Sequence, residues 1–214
     1  MVNSPADALL LIAPGCAHCP SVLEGLSRLI KDGKLGRLEV VNILLHPEVG
    51  QQLGTRSVPW CRIGPFELEG ALSQAELAGW TEHAAAGSGL GEYYAHLLES
   101  QRPHRVAELI ERRPDSFDEL LGLLEDSETP MTVRIGIGVV LEDLHNNPLL
   151  LHALPVLIRL ADSTAANVRA DAAHYLGLTQ APEAAATLQK LLHDENPDVR
   201  EIAAESIAQL ATAD

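Results

Sequence analysis

The chain is 214 residues long, with 46% hydrophobic, 21% charged and only 3% aromatic residues, and its formal net charge is −15. That apolar content excludes an intrinsically disordered chain. The few aromatics argue against a β-sandwich core and against a binder that stacks unpaired bases on rings. With 30 acidic against 15 basic residues, neither nucleic acid nor an anionic membrane surface is an expected partner, because both demand clustered Lys and Arg.

Three cysteines, Cys16, Cys19 and Cys61, are too few for a secreted disulfide framework. The first seven residues hold no basic n-region, and the apolar run Ala8–Ala13 is short for a secretory signal. No apolar stretch approaches the roughly 18–20 residues of a membrane span. The expectation is a cytoplasmic protein.

Ala8–Ala13 reads as a buried strand. From Cys16 to about Lys31, Val22, Leu23, Leu26, Leu29 and Ile30 recur at helical spacing, and Gly33 and Gly36 then interrupt the chain. Leu38–Ile43 is a second strand and Pro47–Leu53 a short helix. Pro59–Ile63 and Phe66–Glu69 flank Gly64-Pro65 as a hairpin. Ser73 to about His83 forms the next helix, with Ser73 as N-cap and Glu76 completing a capping box. The order β-α-β-α-β-β-α predicts an α/β unit, a mixed sheet with helices on both faces.

The small-residue stretch Ala84–Gly91 marks a break, and composition changes across it. Residues 1–86 hold six basic and nine acidic residues, a net of −3; residues 87–214 hold nine and twenty-one, a net of −12. The division is therefore 1–86 for the first domain, 87–114 for two linking helices (about 90–101 and 104–112), and 115–214 for the second domain.

The second domain repeats itself. Val133-Arg134, Val168-Arg169 and Val199-Arg200 each open an amphipathic helix, at separations of 35 and 31 residues. Each is preceded by a helix ending in an apolar cluster and an aspartate: Asp126, Asp162 and Asp194. Pro130 and Pro197 fall where the following first turn should begin, a place that tolerates a missing N–H. Ala172, Ala173, Ala203 and Ala204 permit close helix contact, whereas Gly136 and Gly138 break the pattern in the first repeat. Three helical hairpins stacked in a row are expected. On these features, residues 115–212 resemble the short HEAT-like repeats of the bilin-lyase type. The resemblance implies an all-α interaction scaffold in which the three aspartates and three arginines brace neighbouring repeats through polar ladders.

The chemistry concentrates in Gly15-Cys-Ala-His-Cys-Pro20. A strand-to-helix junction places Cys16 at a helix N-terminus, where free N–H groups and the helix dipole favour a thiolate. Cys19, one turn on, is positioned to close a disulfide, giving an exposed attacking thiol and a more buried resolving one. His18, when protonated, adds positive charge near the Cys16 sulfur and makes the disulfide more oxidising. Val58-Pro59 follows 43 positions after Cys16.

This succession of CxxC, helix, strand, helix, Val-Pro and hairpin resembles the thioredoxin fold over residues 6–84. The resemblance implies that Pro59 is cis beside the cysteines and that Val58 aligns the backbone of a bound peptide or thiol, with Trp60 lining the groove or entering the core. The chain departs from the family in having Gly15 where a tryptophan is common and Ala17-His18 between the cysteines. For the buried acid that assists proton transfer in thioredoxins, Glu24 is the one candidate.

Plainer readings remain beside this one. The dithiol is structural, or Cys16, Cys19 and Cys61, with His18 or His46, hold a soft metal ion; Cys61 alone is a buried strand residue. No phosphate loop, nucleophile elbow or H-E-x-x-H motif occurs. The sequence thus predicts a thiol–disulfide oxidoreductase module, with Cys16, Cys19 and His18 catalytic and Val58, Pro59 and Trp60 contacting substrate. It is fused to a helical scaffold that faces a protein partner or a second subunit, and no cofactor or metal is required. The alternatives are a non-catalytic interaction protein and a thiol–metal carrier.

Overall fold

The computed structural model describes residues 5–145 and 147–211; residues 1–4 and the last three, which the sequence assigned to the two domains, lie outside them. The chain divides into two compact units, one running through Gly89 and one beginning at Leu90.

The first unit runs β1 (Ala6–Ile12), α1 (Cys19–Lys31), β2 (Leu35–Asn42), α2 (Pro47–Gln52), β3 (Trp60–Ile63), β4 (Phe66–Glu69) and α3 (Gln74–Ala86). Its four strands form one mixed sheet in the order β2-β1-β3-β4. β1 and β2 are parallel, joined across α1, while β3 runs antiparallel to both β1 and β4. Leu10, Leu11, Ile63 and Leu68 of the sheet are fully buried with Val22 and Leu26 of α1 and Leu77 of α3.

α1 and α3 pack side by side, and Gly25 makes that approach possible: a Cβ there would come within 2.5 Å of Leu77 Cδ1. Ser73 caps α3 in a complete capping box, its Oγ accepting the Glu76 N–H at 3.2 Å and its N–H donating to Glu76 Oε2 at 2.8 Å. At the other end Gly87, at φ 65°, terminates the helix in the left-handed conformation that L side chains avoid. The glycine-rich stretch is thus a helix stop with defined geometry.

Among the described residues of the second unit every regular element is a helix. α4 (Leu90–Glu99) and α5 (Pro103–Arg112) pack directly on α6 (Phe117–Glu125) and α7 (Met131–Asp143). The pairs α6/α7, α8 (Leu154–Leu160)/α9 (Ala166–Leu178) and α10 (Ala184–Leu191)/α11 (Pro197–Ala211) are the three helical hairpins. Short 3₁₀ segments precede α6 (Pro114–Ser116) and α8 (Pro148–Ala153). Pro197 begins α11, but Pro130 is one position earlier, the N-cap of α7.

Small residues set the helix spacing. A Cβ at Gly136 would meet Leu98 at 2.9 Å, and one at Gly177 would meet Ser206 Cβ at 2.8 Å. Gly138 lies against the Tyr175 hydroxyl. The glycines that break the first repeat's pattern therefore serve its packing.

Candidate functional site

The end of β1 and the start of α1 carry the cysteine pair. Pro14 and Gly15 turn the chain after Ile12, with Gly15 at φ 80°. The Cys16 N–H donates to Ala13 O at 3.3 Å. The helix begins at Cys19 rather than at Cys16, with His18 as N-cap and Pro20 in the first turn. Pro20 lacks an N–H, which costs nothing at a position where helix N–H groups have no partner. Cys16 nevertheless meets the helix end, because its Sγ accepts the Cys19 N–H at 3.1 Å.

Cys16 and Cys19 are joined in a disulfide with Cα atoms 5.5 Å apart. Cys16 is half-buried and Cys19 only 5% exposed. Cys16 is therefore the more exposed residue of the pair. His18 is exposed, and its carbonyl accepts from Ser21 Oγ at 2.9 Å and from the Val22 N–H at 3.3 Å. The first turn of α1 contains no acidic residue, whereas Arg28 and Lys31 occupy the last. No acidic side chain of that first turn opposes negative charge at the helix N-terminus.

The second part of the site is the chain that leads into β3. The Val58–Pro59 peptide bond is cis. Trp60 pairs with Leu11 in the β1–β3 register, so one step further Pro59 stands level with Ile12, where β1 gives way to the cysteine loop. The preceding turn is pinned by Thr55, whose N–H donates to Gly50 O at 3.0 Å and whose Oγ1 accepts the Ser57 N–H at 3.1 Å. Gly70 closes the far side by donating its N–H to Pro59 O at 2.9 Å. Val58 is half-buried and Pro59 buried.

Other residues that the sequence brought forward lie elsewhere. Trp60 is 1% exposed, so its indole belongs to the core and only its backbone borders the site. Cys61, also buried, pairs with Leu10 and Leu68 inside the sheet. Burial pushes its thiol up to about 12, which makes it a poor nucleophile and a poor ligand. Glu24 is on the exposed side of α1 and pairs with Arg28 at 3.6 Å, so it is not the buried acid. His46 caps α2 and contacts Glu48 at 3.2 Å. Among the described residues no cluster of three or more His, Cys, Asp or Glu side chains is arranged to hold a metal ion.

In the helical unit the repeated arginines do one job three times. Arg134 donates to Asp126 O at 2.6 Å, Arg169 to Ser163 O at 2.9 Å, and Arg200 to Asp194 O at 2.8 Å. Each guanidinium thus satisfies carbonyls at the preceding turn, which have no intrahelical donor. Two of them also reach an acid of the next hairpin: Arg134 pairs with Asp171, and Arg169 with Asp194. Asp162 crosses a joint differently, pairing with Lys190 on the surface. The Asp126 carboxylate instead accepts the Glu128 N–H within its own loop.

Asp171 is the brace that sequence reasoning missed. Its signal was an acid at a joint-facing position of an alanine-rich helix, two residues after Arg169.

Residues 117–208 match HEAT repeats, from the start of α6 into the last turn of α11. No curated protein is a significant match to the chain. Among the described residues no helix is long and apolar enough to cross a membrane.

Proposed function

We propose that the first unit is a thioredoxin-like thiol–disulfide oxidoreductase module and that the helical unit is a scaffold that holds its protein partner. The observation that carries this reading is the Cys16–Cys19 disulfide at the N-terminus of α1, with Cys16 half-buried and Cys19 buried.

In the oxidising direction a substrate thiolate attacks Cys16 Sγ. The Cys16–Cys19 bond breaks and its electron pair leaves on the Cys19 sulfur. A second substrate thiolate then attacks the substrate sulfur of the mixed disulfide, and Cys16 departs as a thiolate. The substrate has lost two electrons and the protein has gained them. The reverse sequence reduces a substrate disulfide, with Cys16 attacking and Cys19 resolving.

In both directions the Cys19 N–H and the end of α1 stabilise charge on Cys16. His18, the exposed N-cap residue of α1, stands between the two cysteines and is the residue that tunes the pair. Val58 and Pro59 supply the backbone edge against which a substrate segment aligns. The HEAT-repeat match supports protein, rather than a small molecule, as what the second unit holds.

Thiol alkylation and mass spectrometry across a series of redox buffers test the proposal. A reversible two-electron interconversion of Cys16 and Cys19 is expected, together with a mixed disulfide to Cys16 that accumulates in Cys19→Ser. A dithiol that stays in one state across the series, or full biological function in Cys16→Ser, leaves the first unit as a structural domain beside an interaction scaffold.

A further inference from the structure

β2 is an edge strand. It pairs with β1 on one side, while Gly36, Arg37, Glu39 and Val40 are exposed. An open edge is a template for another strand, and charged residues are the common guard against unwanted pairing.

Backbone parity decides which residues face that open side. The Ile43 N–H donates to Ile12 O at 3.0 Å, towards β1. Successive residues of a strand turn their hydrogen-bonding groups to opposite sides. Val41, Glu39 and Arg37 therefore also address β1, whereas Leu38 and Val40 present their N–H and C=O outwards. Arg37 and Glu39 share one face of the strand, 2.8 Å apart, with side chains 68% and 52% exposed.

The geometry points to antiparallel pairing of β2 with β2 of a second copy, about a two-fold axis at Leu38. In any two-fold self-pairing, a centre between residues sets outward-facing groups against inward-facing ones, so the axis passes through a residue. A centre at Arg37 opposes two arginines, and a centre at Glu39 opposes two glutamates. A centre at Val40 leaves both charges opposite apolar residues.

Only a centre at Leu38 places Arg37 opposite the second copy's Glu39, and does so twice. These are non-hydrogen-bonded positions, where facing side chains approach most closely. Leu38 then exchanges both backbone bonds with its own image.

The β1–β2 register shifts between Ala6 and Asp7, so the regular ladder begins at Arg37. The charges that guard the edge against other registers thus admit one. The order Arg-Leu-Glu is its own antiparallel complement, as an isologous contact requires, and a second copy is the occupant that order fits.

Sedimentation velocity of the full chain over a concentration series tests the pairing, and the same result is expected with the cysteines oxidised or reduced. The wild type should sediment as a dimer. Arg37→Glu and Glu39→Arg should each lose the dimer, because each opposes like charges. An equimolar mixture of these two variants should form a heterodimer, and Arg37→Glu/Glu39→Arg in one chain should recover the homodimer. Circular dichroism establishes that every variant is folded. A wild type that stays monomeric, single variants that dimerise as well as wild type, or a mixture that stays monomeric would each overturn the inference.

Discussion

Arg169 holds Asp194 with two nitrogens of its guanidinium: Nε donates to Oδ2 at 2.7 Å and Nη2 to Oδ1 at 2.8 Å. The pair crosses from the second helical hairpin to the third, and both side chains are nearly buried. Arg169 also donates to Ser163 O and Thr164 O, and Asp194 also accepts the Asn196 N–H. The desolvated charges are therefore compensated by a full set of partners, the condition under which such a pair is tolerated.

Removing Asp194 leaves the buried Arg169 with only the exposed Glu195 carboxylate, 3.4 Å from its Nη2, as counter-charge. Asp194→Ala is expected to destabilise the protein by about 3–5 kcal/mol. Urea unfolding followed by helical circular dichroism measures it. A cost no larger than that of removing the exposed Lys190–Asp162 pair would show that water already screens the joint.

The same pair sets a pH dependence. The Arg169 hydrogen bond holds the Asp194 carboxyl below its usual value. Glu125 is likewise lowered by Arg159. A carboxylate depressed in the folded state binds protons more readily when unfolded, so its stabilisation is present above the unfolded value of about 3.9 for Asp. It is lost as pH falls through the lower folded value. Burial raises Asp171 instead, and its ionisation therefore lowers stability as pH rises. Acid titration of the unfolding free energy should fall less steeply in Asp194→Asn than in wild type.

Cys61 should stay silent while the fold lasts. With its thiol pushed up to about 12, roughly one molecule in ten thousand is thiolate at pH 8. Iodoacetamide should modify no cysteine of the folded, oxidised protein and one after unfolding. After reduction of the folded protein it should modify Cys16 and then Cys19. Prompt labelling of Cys61 in the folded state would show that the sheet opens at β3.

The close contact of α9 with α11 depends on Gly177. A methyl group there would lie 2.8 Å from Ser206 Cβ and 3.1 Å from its Cα. Gly177→Ala is expected to cost about 1–3 kcal/mol through overpacking. Adding Ser206→Gly should recover part of that loss in thermal unfolding, and no recovery would place the strain elsewhere.

Elements announced by local chemistry were legible in the sequence. The capping box at Ser73 and Glu76, the turn at Gly64-Pro65 and the three Asp…Val-Arg hairpins each follow from a rule that acts within a few residues. What escaped depended on where a face points. Cys61 reads as a buried strand residue and is one, but nothing in the apolar run states whether the adjacent Trp60 lines a groove or enters the core. Glu24 follows Leu23 on an amphipathic helix, but exposure there is settled by how α1 rotates onto the sheet. The start of α1 was readable from Pro20, a residue favoured in a first turn, and the cysteine motif drew the boundary three residues too early. Asp171 stands out locally only as an acid on an alanine-rich helix, and nothing local names its partner, because Arg134 is 37 positions away.

Both tryptophans, Trp60 and Trp80, belong to the first unit, and all three tyrosines, Tyr93, Tyr94 and Tyr175, belong to the helical one. Indole emission excited at the red edge is therefore a private reporter of the first unit, while far-ultraviolet ellipticity is dominated by the stacked helices. Two ordinary spectrometers can follow the two halves of the native chain separately without a label. Whether the two melting curves coincide will reveal if the halves unfold as one cooperative body.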